Sequence, residues 1–539
     1  MVERAERHGF RFSTSKTVAM HFCNIRGVHP DPDLFIHGQR ISCKEETRFL
    51  GLIFDPKLTW LPHLKELKTK CKQGLNVLKV LAHSSWGADR KHLMILYKSL
   101  ILSKLSYGCE VYSSATKGKL AILDSVHNAG IRLASGAFKS SPIPSLLVDA
   151  AEQLLEIYRQ SLLVRYWHRI QRLPNSLACK VVLNNKYFDF YDSHPMCRKP
   201  FGYRVSKIME DLYVPEAKVW PVKYSAIPPW RLPSVEFCNY FTGTKQDVSD
   251  DDLRLLFLEH FSSHENSISI FTDGSKSGAG VGFGVIFPTF SRSGRLPNQS
   301  SIFTAECYAI LTALKEIISH PGKHFTILSD SKSVLQALGR FNTFNPIILE
   351  ILEWLQLSHS CGQSVSFCWC PAHVGVVGNE QADVLAKGAT NRVGFIKCHL
   401  PLTDFYPAIR VAFQDMWQFC WDLESQKMKE IASSVRPWRY SALPRQEEVV
   451  LTRLRIGHTR LTHGFLMERS PQPYCEDCLV PLTVRHLLVE CPSYCDERAQ
   501  FLANGRDRDG LFSLSKILGF DFCKDVFKFL KALGIFNDI

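Results

Sequence analysis

The 539-residue sequence contains 65 Lys and Arg against 52 Asp and Glu, and 45% of its residues are hydrophobic and 22% charged. This ordinary globular composition excludes wholesale disorder, and the length accommodates about three or four domains. The sequence contains no run of about eighteen apolar residues, so we predict neither a membrane-spanning helix nor a membrane partner. Because the charged N-terminus lacks an apolar signal core and the 18 cysteines are scattered, we expect an intracellular protein of the cytoplasm or nucleus that is not secreted.

The positive charge is concentrated in the first half of the chain. Residues 1–263 contain 37 Lys and Arg against 25 Asp and Glu, whereas residues 264–392 contain nine of each. A basic surface that also carries aromatic residues suits a nucleic-acid partner, although a merely soluble surface explains the charge equally well. The aromatic residues in question are Trp60, Trp86, Tyr97, Tyr107 and Tyr112.

The first 262 residues divide into a helical part and a connector. Long apolar-periodic stretches predict helices over residues 61–138, and a further helix over residues 145–171 follows the proline-containing turn at 141–144. Residues 174–262 are rich in proline and aromatic residues, which predicts an extended connector.

Strand and helix patterns then alternate over about 125 residues, which predicts a mixed α/β sheet domain. The predicted strands are 267–272, 280–287, 325–329 and 364–370. The predicted helices are 304–319, 331–338, 346–357 and 379–388.

Four carboxylates in this domain have apolar neighbours that would bury them. Asp273 and Asp330 end predicted strands, Glu306 lies in the first turn of a helix, and Asp383 lies on the last helix. Such acids repel one another unless a cation neutralises them, and their hard oxygen ligands suit Mg²⁺ or Mn²⁺. Two ions about 4 Å apart can activate water for hydrolysis of a phosphodiester. For Asp330 a helix N-cap is a respectable alternative.

The motifs around these acids resemble the type 1 ribonuclease H domain over residues 264–392. They are T-D-G-S at Asp273, T-A-E at Glu306, S-D-S at Asp330, G-N-E-x-A-D at Asp383, and H-x-G at His373. The resemblance implies hydrolysis of the RNA strand of an RNA–DNA hybrid, leaving a 3′-hydroxyl and a 5′-phosphate.

The resemblance also implies roles for individual residues. The four acids would bind two Mg²⁺ or Mn²⁺ ions, and His373 would assist product release or proton transfer, unless it is a plain loop histidine. The backbone amides near Gly274 and Ser275 and the side chain of Asn379 would contact the 2′-hydroxyl of the RNA. No Lys- or Arg-rich protrusion helix is predicted between Asp330 and His373, so we expect the basic N-terminal half to grip the substrate.

Two N-terminal segments resemble the last palm segments of a non-LTR retrotransposon reverse transcriptase. They are G-F-R-F-S-T-S-K-T at 9–17 and F-L-G-L-I-F-D at 49–55, and the helices up to about residue 170 resemble its thumb. The polymerase acids of such enzymes are expected before Gly9, where only eight residues stand, so we expect this chain not to polymerise.

A third pattern lies near the C-terminus. Cys475, Cys478, His486 and Cys491 follow the spacing C-x2-C-x7-H-x4-C, which suits one tetrahedral Zn²⁺. Similar clusters close the polyproteins of jockey-like elements. Four ordinary residues are the alternative, and Cys495 or His463 could replace a ligand. The basic stretch just upstream faces phosphates or solvent; it comprises Arg453, Arg455, His458, Arg460 and His463.

Together these patterns predict a multidomain chain. Residues 1–172 would be a palm remnant and thumb-like helices, 173–262 a connector, 263–392 the ribonuclease H domain, and 393–539 a C-terminal region with a zinc knuckle in 470–497. The competing hypothesis is a non-catalytic nucleic-acid-binding remnant of a reverse transcriptase, against which the intact set of four acids argues. An integrase- or transposase-like nuclease would lack the helix position of Glu306 and the H-x-G segment.

Overall fold

The computed structural model describes residues 2–23, 30–212, 218–222, 227–238, 240–241, 248–262, 266–340, 345–425, 427–438 and 443–539. Within these residues the strands, numbered β1–β12 in chain order, are Leu34–Ile36, Gln39–Ile41, Thr47–Phe49, Leu52–Phe54, Lys218–Val219, Phe237–Cys238, Ile268–Lys276, Val281–Ile286, Ser291–Leu296, His324–Ser329, Ser364–Trp369 and His399–Leu400.

The α-helices of the same residues, numbered α1–α24, are Val2–Arg7, Leu61–Leu81, Arg90–Tyr97, Ser103–Ser106, Cys109–Tyr112, Lys117–Leu120, Asp124–Ser135, Ile143–Ala150, Leu155–Gln171, Leu177–Val182, Phe188–Ser193, Phe201–Asp211, Asp250–Ser262, Ile302–Ile318, Lys332–Leu338, Pro346–Ser360, Val377–Thr390, Leu402–Leu423, Arg445–Ile456, Arg460–His463, Phe465–Glu468, Cys495–Phe501, Leu514–Leu518 and Val526–Ala532. Among the described residues, none of the helices has the length and apolar character needed to cross a membrane.

The chain forms two compact units, each assembled from separate stretches. The helical unit comprises Met1–Leu163, Phe188–Val205 and Phe413–Ile539, and the sheet unit comprises Val164–Tyr187 and Ser206–Ala412. The helical character predicted for the N-terminal region is confirmed. The four domain boundaries drawn from the sequence stay predictions.

The sheet unit is built on a six-stranded mixed sheet in the order β6-β11-β10-β7-β8-β9. β6, β11, β10 and β7 are parallel neighbours, and β8 and β9 continue the sheet in antiparallel pairing. The predicted mixed α/β sheet is therefore confirmed. The sequence analysis missed β9, because its sequence S-R-S-G-R-L has little apolar character and its pairing with β8 defines it as a strand.

Helices cover both faces of this sheet. Helices α14 and α16 pack on one face, where a core of fully buried residues includes Ile270, Ile310, Ile327 and Ile351. Side chains alternate along a strand, so Phe283 of β8 faces α14 while its neighbours Gly282 and Gly284 face α17. Helix α13 packs on the same face as α17, in a second apolar cluster with β10 and β11.

Residues 173–262 differ from the extended connector predicted from their prolines. The structure has four helices there, α10 to α13, and β6 joins the central sheet. Pro195 and Pro200, for example, lie between α11 and α12 rather than inside an extended segment. The helix predicted over 145–171 is likewise interrupted, because α8 ends at Ala151, whose φ of 54° is left-handed.

The aromatic residues predicted to lie on the basic surface are mostly internal. Trp60, Tyr97 and Tyr112 are buried in the helical unit, whereas Trp86 and Tyr107 are exposed. A helix face cannot be assigned to solvent from charge alone, because an aromatic residue among lysines is equally able to point inward. The aromatic component of the predicted nucleic-acid surface is thus reduced to two residues.

Within the predicted basic stretch, Arg455 of α19 points inward rather than toward phosphates or solvent, whereas Arg460 is exposed. Arg455 is buried, its guanidinium lies 3.9 Å from the ring centroid of Trp438, and it donates to the carbonyl of Leu518 at 2.8 Å. Its charge is balanced by Asp149, which also pairs with Arg90 at 2.8 Å. This buried ionic network joins the N-terminal helices to the C-terminal helices within the helical unit.

Candidate metal centres

The first acid lies inside a strand, which corrects the sequence interpretation. Asp273 was predicted to end a strand before a turn, but β7 continues to Lys276. Gly274 and Ser275 pair with Phe283 and Gly282 of β8, so the polar T-D-G-S segment is held flat in the sheet. The carboxylate of Asp273 is thereby fixed on the face that α17 covers.

Glu306 reaches Asp273 because Gly274 has no side chain. A Cβ placed on Gly274 would lie 2.6 Å from the backbone nitrogen of Glu306, so only glycine allows α14 to pack this closely on β7. Glu306 is the fifth residue of α14, and Ser301 caps that helix by accepting from the N–H of Thr304. The position of Glu306 therefore depends on one glycine and one helix cap.

Asp383 is brought to the same region by two further glycines. A Cβ on Gly284 would lie 2.6 Å from the carbonyl oxygen of Ala382, and a Cβ on Gly282 would lie 2.7 Å from that of Ala386. Helix α17 can therefore lie directly on β8. The sequence analysis missed these residues, although alternate glycines in a strand, here V-G-F-G-V, are a signal for close backbone approach.

Three of the four predicted acids form one compact cluster. Carboxylate oxygens of Asp273, Glu306 and Asp330 all lie within 4.8 Å of one another. Asp383 is outside that group and pairs with Lys387 on the next turn of α17, with 2.7 Å between Oδ2 and Nζ. The charge of Asp383 nevertheless acts on Asp273 and Asp330, whose pKa values it raises.

The cluster is electrostatically strained as it stands. Burial, followed by the charges of Asp330 and Asp383, raises the pKa of Asp273 to about 8. Burial, followed by the charges of Asp330 and Asp273, raises the pKa of Glu306 well above its usual value, and burial raises that of Asp330. These carboxyls resist ionisation because they are buried side by side without a compensating charge.

The cluster fits a divalent cation. The Oε2 atom of Glu306 is buried and has no hydrogen-bonding partner among the described residues. A hard cation bound by oxygen ligands would satisfy this atom and reverse the repulsion that raises the pKa values. The donor set of carboxylates alone suits Mg²⁺ or Mn²⁺.

Asp330 is held from two sides. It follows β10 directly, its backbone carbonyl accepts a 3.1 Å hydrogen bond from Nε1 of Trp369, and its carboxylate is hydrogen-bonded by the side chain of Asn379. Asn379 is only 2% exposed. Its burial under Asp330 favours a positioning role over the predicted contact with a 2′-hydroxyl.

His373 lies on the loop of residues 371–376, between β11 and α17, and is exposed. Its charge lowers the pKa of Asp330, so its ring is close to the acidic cluster. The φ of His373 is 59°, a left-handed conformation that is uncommon for a residue other than glycine. Of the two predicted amide contacts, Ser275 is half-buried, whereas Gly274 is buried and its N–H faces the acids.

The second predicted centre is also assembled in the structure. Ligand atoms of Cys475, Cys478, His486 and Cys491 all lie within 4.8 Å of one another. The Sγ atom of Cys491 is 3.9 Å from that of Cys475 and 3.8 Å from that of Cys478. Four ligands about 2.3 Å from a tetrahedral zinc place their sulfurs about 3.8 Å apart, so the separations fit Zn²⁺.

The remaining groups of this cluster also suit a zinc ion. Nε2 of His486 is buried and has no hydrogen-bonding partner among the described residues. Hydrogen bonds, chiefly the one from the backbone N–H of Cys478, lower the pKa of the Cys475 thiol to about 7 and favour the thiolate that zinc binds, whereas burial raises the pKa of the Cys478 thiol. The two substitute ligands lie elsewhere, since Cys495 is exposed and His463 stacks on His458 with 3.7 Å between ring centroids.

Comparisons with known proteins agree with this geometry. Residues 265–391 match the model of the RNase H family. The chain is 29% identical over 100 residues to the retrovirus-related Pol polyprotein from type-1 retrotransposable element R1 of Bradysia coprophila. It is 27% identical over 183 residues to the RNA-directed DNA polymerase from mobile element jockey, and 22% over 178 residues to the probable RNA-directed DNA polymerase from transposon X-element, both of Drosophila melanogaster.

These matches cover a small part of the relatives. The matched segments are 19%, 33% and 33% of this chain and 10%, 19% and 19% of the R1, jockey and X-element proteins. The predicted resemblance to an RNase H domain of a retrotransposon polyprotein is confirmed.

Proposed function

We propose that residues 265–391 hydrolyse the RNA strand of RNA–DNA hybrids by a two-metal mechanism, leaving 5′-phosphate ends. The observation that carries the proposal is the buried cluster of Asp273, Glu306 and Asp330, whose oxygens lie within 4.8 Å of one another. The match to the RNase H family supports nucleic acid as the partner.

Mg²⁺ or Mn²⁺ would be held by Asp273, Glu306, Asp330 and Asp383. When bound, two such ions supply an activated water and stabilise the leaving oxygen of a phosphodiester. The chain's own contribution is to present ionised carboxylates at fixed positions. Asp383 must exchange its bond with Lys387 for this role, and the exposed ammonium of Lys387 is free to turn toward solvent.

His373 would move protons at the edge of the site or assist departure of the product. Its exposure and its closeness to Asp330 support this role, because a group that exchanges protons with water must reach the surface. Ser275, beside the acids on β7, is the candidate for contact with the 2′-hydroxyl that distinguishes RNA from DNA.

The Cys-Cys-His-Cys cluster would hold one structural Zn²⁺. All four positions of a tetrahedron are filled by protein ligands, which is typical of structural rather than catalytic zinc. The N-terminal basic residues would supply grip on the substrate, since the residues of the RNase H domain carry no net charge.

The alternative is a non-catalytic nucleic-acid-binding protein. One observation favours it, namely that Lys387 already neutralises Asp383 and so competes with a cation for that carboxylate. Binding without cleavage would follow if this ion pair is retained.

The test uses the full chain, Mg²⁺ and an RNA–DNA hybrid labelled on the RNA strand, with RNA–RNA and DNA–DNA duplexes of the same sequence for comparison. We expect 5′-phosphate fragments from the hybrid alone. Cleavage that survives in Asp273→Asn would reject the metal assignment. Hybrid binding with no cleavage at any concentration of Mg²⁺ or Mn²⁺ would favour the binding protein.

A further inference from the structure

We propose that helix α13, which precedes the residues matched to the RNase H family, holds the His373 loop in place, and that Arg254 on this helix is a positioning residue for His373. The His373 loop is residues 371–376. The inference rests on the ribonuclease function proposed above.

The loop is anchored to α13 by apolar contacts. Leu253 and Phe257 of α13 are buried in one cluster with Val374 and Val376 of the loop. These two valines flank Gly375 and follow His373, so the loop is anchored directly on the C-terminal side of the residue that presents the imidazole. Leu328, Cys368 and Cys370 complete the buried cluster and connect it to β10 and β11.

The backbone of the loop requires such support. His373 has a φ of 59° and Gly375 a φ of 80°, so two left-handed residues stand only one residue apart. A histidine in this conformation persists when its surroundings fix it, and here the surroundings that contact the loop include α13.

Arg254 lies directly against the turn of the loop. A Cβ built on Gly375 would be 3.1 Å from Nη1 and 3.4 Å from Cζ of Arg254, so the guanidinium occupies the space beside this glycine. The planar guanidinium limits how the loop can move, because the segment between Val374 and Val376 cannot swing toward α13. Loss of this contact would let His373 leave its left-handed conformation.

The same layer of side chains extends to Asp330. Tyr240 packs its ring on those of Phe257 and Trp369, with centroids 5.9 and 5.7 Å apart. Trp369 in turn donates from Nε1 to the backbone carbonyl of Asp330 at 3.1 Å. Residues before position 265 therefore contact the His373 loop, and they also contact Trp369, which hydrogen-bonds the backbone of the predicted metal ligand Asp330.

A double-mutant cycle in the full chain tests the proposal, with kcat and KM measured on the labelled hybrid in Mg²⁺. We expect Arg254→Ala to lower kcat by about tenfold with KM unchanged, because a catalytic group is displaced while substrate contacts remain. Arg254→Ala added to His373→Ala should have no further effect. Arg254→Lys should be intermediate, and Glu259→Ala, an exposed change on the same helix, should match wild type.

Two kinetic results would overturn the proposal. Equal effects of Arg254→Ala with and without His373 would show that Arg254 does not act through this residue. A raised KM with unchanged kcat would make Arg254 a substrate contact instead. Absence of cleavage by the wild type would reject the proposed function. The claim that Arg254 holds the His373 loop would then be tested by a second measurement.

That second measurement is amide hydrogen exchange of the His373 loop in the full chain, read at residues 372–376 because Pro371 has no amide hydrogen. Arg254→Ala should raise exchange there and leave β7 and β8 unchanged, and Glu259→Ala should have no effect. Unchanged exchange of the loop in Arg254→Ala would contradict the positioning role regardless of catalysis. Phe257→Ala should raise exchange of the loop further than Arg254→Ala does. If Phe257→Ala fails to fold, the result with Arg254→Ala alone decides whether α13 holds the His373 loop.

Discussion

The two candidate metal centres are built in opposite ways. The acidic ligands come from β7, α14, the end of β10 and α17, and are spread along the sequence from Asp273 to Asp383. The Cys-Cys-His-Cys ligands all lie between Cys475 and Cys491. The folded sheet brings the acids of the first centre together, whereas we expect the second, a short segment, to depend on its own ion for cohesion.

The chemistry of the ligands differs as well. Burial and mutual repulsion raise the pKa values of Asp273 and Glu306, and the sheet holds these carboxyls together. The thiols of the C-terminal segment are neighbours along the chain, joined by local backbone hydrogen bonds such as those from the N–H of Cys475 to the carbonyl of Val480 and from the N–H of Cys491 to the carbonyl of His486. We therefore expect metal removal to affect activity at the first centre and folding at the second.

The largest expected effect is on the stability of the helical unit. Cys478→Ser should lower the free energy of unfolding by more than about 4 kcal/mol, because loss of a structural metal is among the most damaging single changes. Thermal or denaturant unfolding followed by circular dichroism measures it. The matched control is Cys495→Ser, an exposed thiol nearby that should change stability by less than about 0.5 kcal/mol. Equal stability of both variants would mean that the spacing of the cluster is a coincidence.

The acidic centre should respond in activity instead. Asp330→Asn should reduce cleavage of the hybrid by more than about a hundredfold, beyond the loss seen when only an outer partner of a metal ligand is removed. Steady-state kinetics with Mg²⁺ checks this. Glu380→Gln, an exposed acid on α17, should retain wild-type rates. A similar loss of cleavage rate in both variants would indicate that cleavage depends on the overall negative charge of this region rather than on the cluster of Asp273, Glu306 and Asp330.

The pH dependence of stability sharpens the same contrast. In the protein without Mg²⁺, the pKa of Asp273 is about 8 in the folded state, against about 3.9 in an unfolded chain. The folded state binds the extra proton between these values, so the free energy of unfolding falls as pH rises from 4 to 8. From pH 6 to 8 we expect a loss of about 1–2 kcal/mol, which Asp273→Asn and added Mg²⁺ both remove. A thermal unfolding temperature that is insensitive to Asp273→Asn at pH 8 would contradict this.

A smaller effect tests how far the scaffold of the acidic centre extends. Asp404 of α18 accepts two 3.0 Å hydrogen bonds from the N–H and hydroxyl of Ser301, the cap of the helix that carries Glu306. Asp404→Ala should cost about 1 kcal/mol of stability, since two hydrogen bonds to a buried acceptor are lost. Chemical denaturation measures the cost, with the exposed Asp415→Ala as the control. If the two variants have the same free energy of unfolding, the residues that support the acidic centre do not extend beyond those matched to the RNase H family.

The sequence predicts the second centre more completely than the first. A local spacing of thiols and histidine is readable because the ligands are neighbours along the chain, and the structure assembles the same four. The acids were recognisable from their motifs, but the length of β7 beyond Asp273 was not. Its extension depends on pairing of Gly274 and Ser275 with β8, which is a long-range contact.

Other features differ in whether the sequence could have shown them. The ion pair of Lys387 with Asp383 follows from i,i+4 spacing and could have been predicted. The packing of α13 on the His373 loop could not, because residues 253–257 and 374–376 meet only in the folded sheet unit. The inward direction of Arg455 likewise depends on partners as distant as Asp149 and Leu518.

One measurement tests the contrast between the two centres most directly. The full chain is treated with a chelator selective for Zn²⁺ over Mg²⁺, and its thermal unfolding and its hybrid cleavage in Mg²⁺ are recorded before and after. We predict the loss of one bound Zn²⁺ per chain and a lower unfolding temperature, with kcat changed by less than about twofold, as expected for independent sites. Loss of cleavage in proportion to zinc removal, or no bound zinc before treatment, would contradict the account.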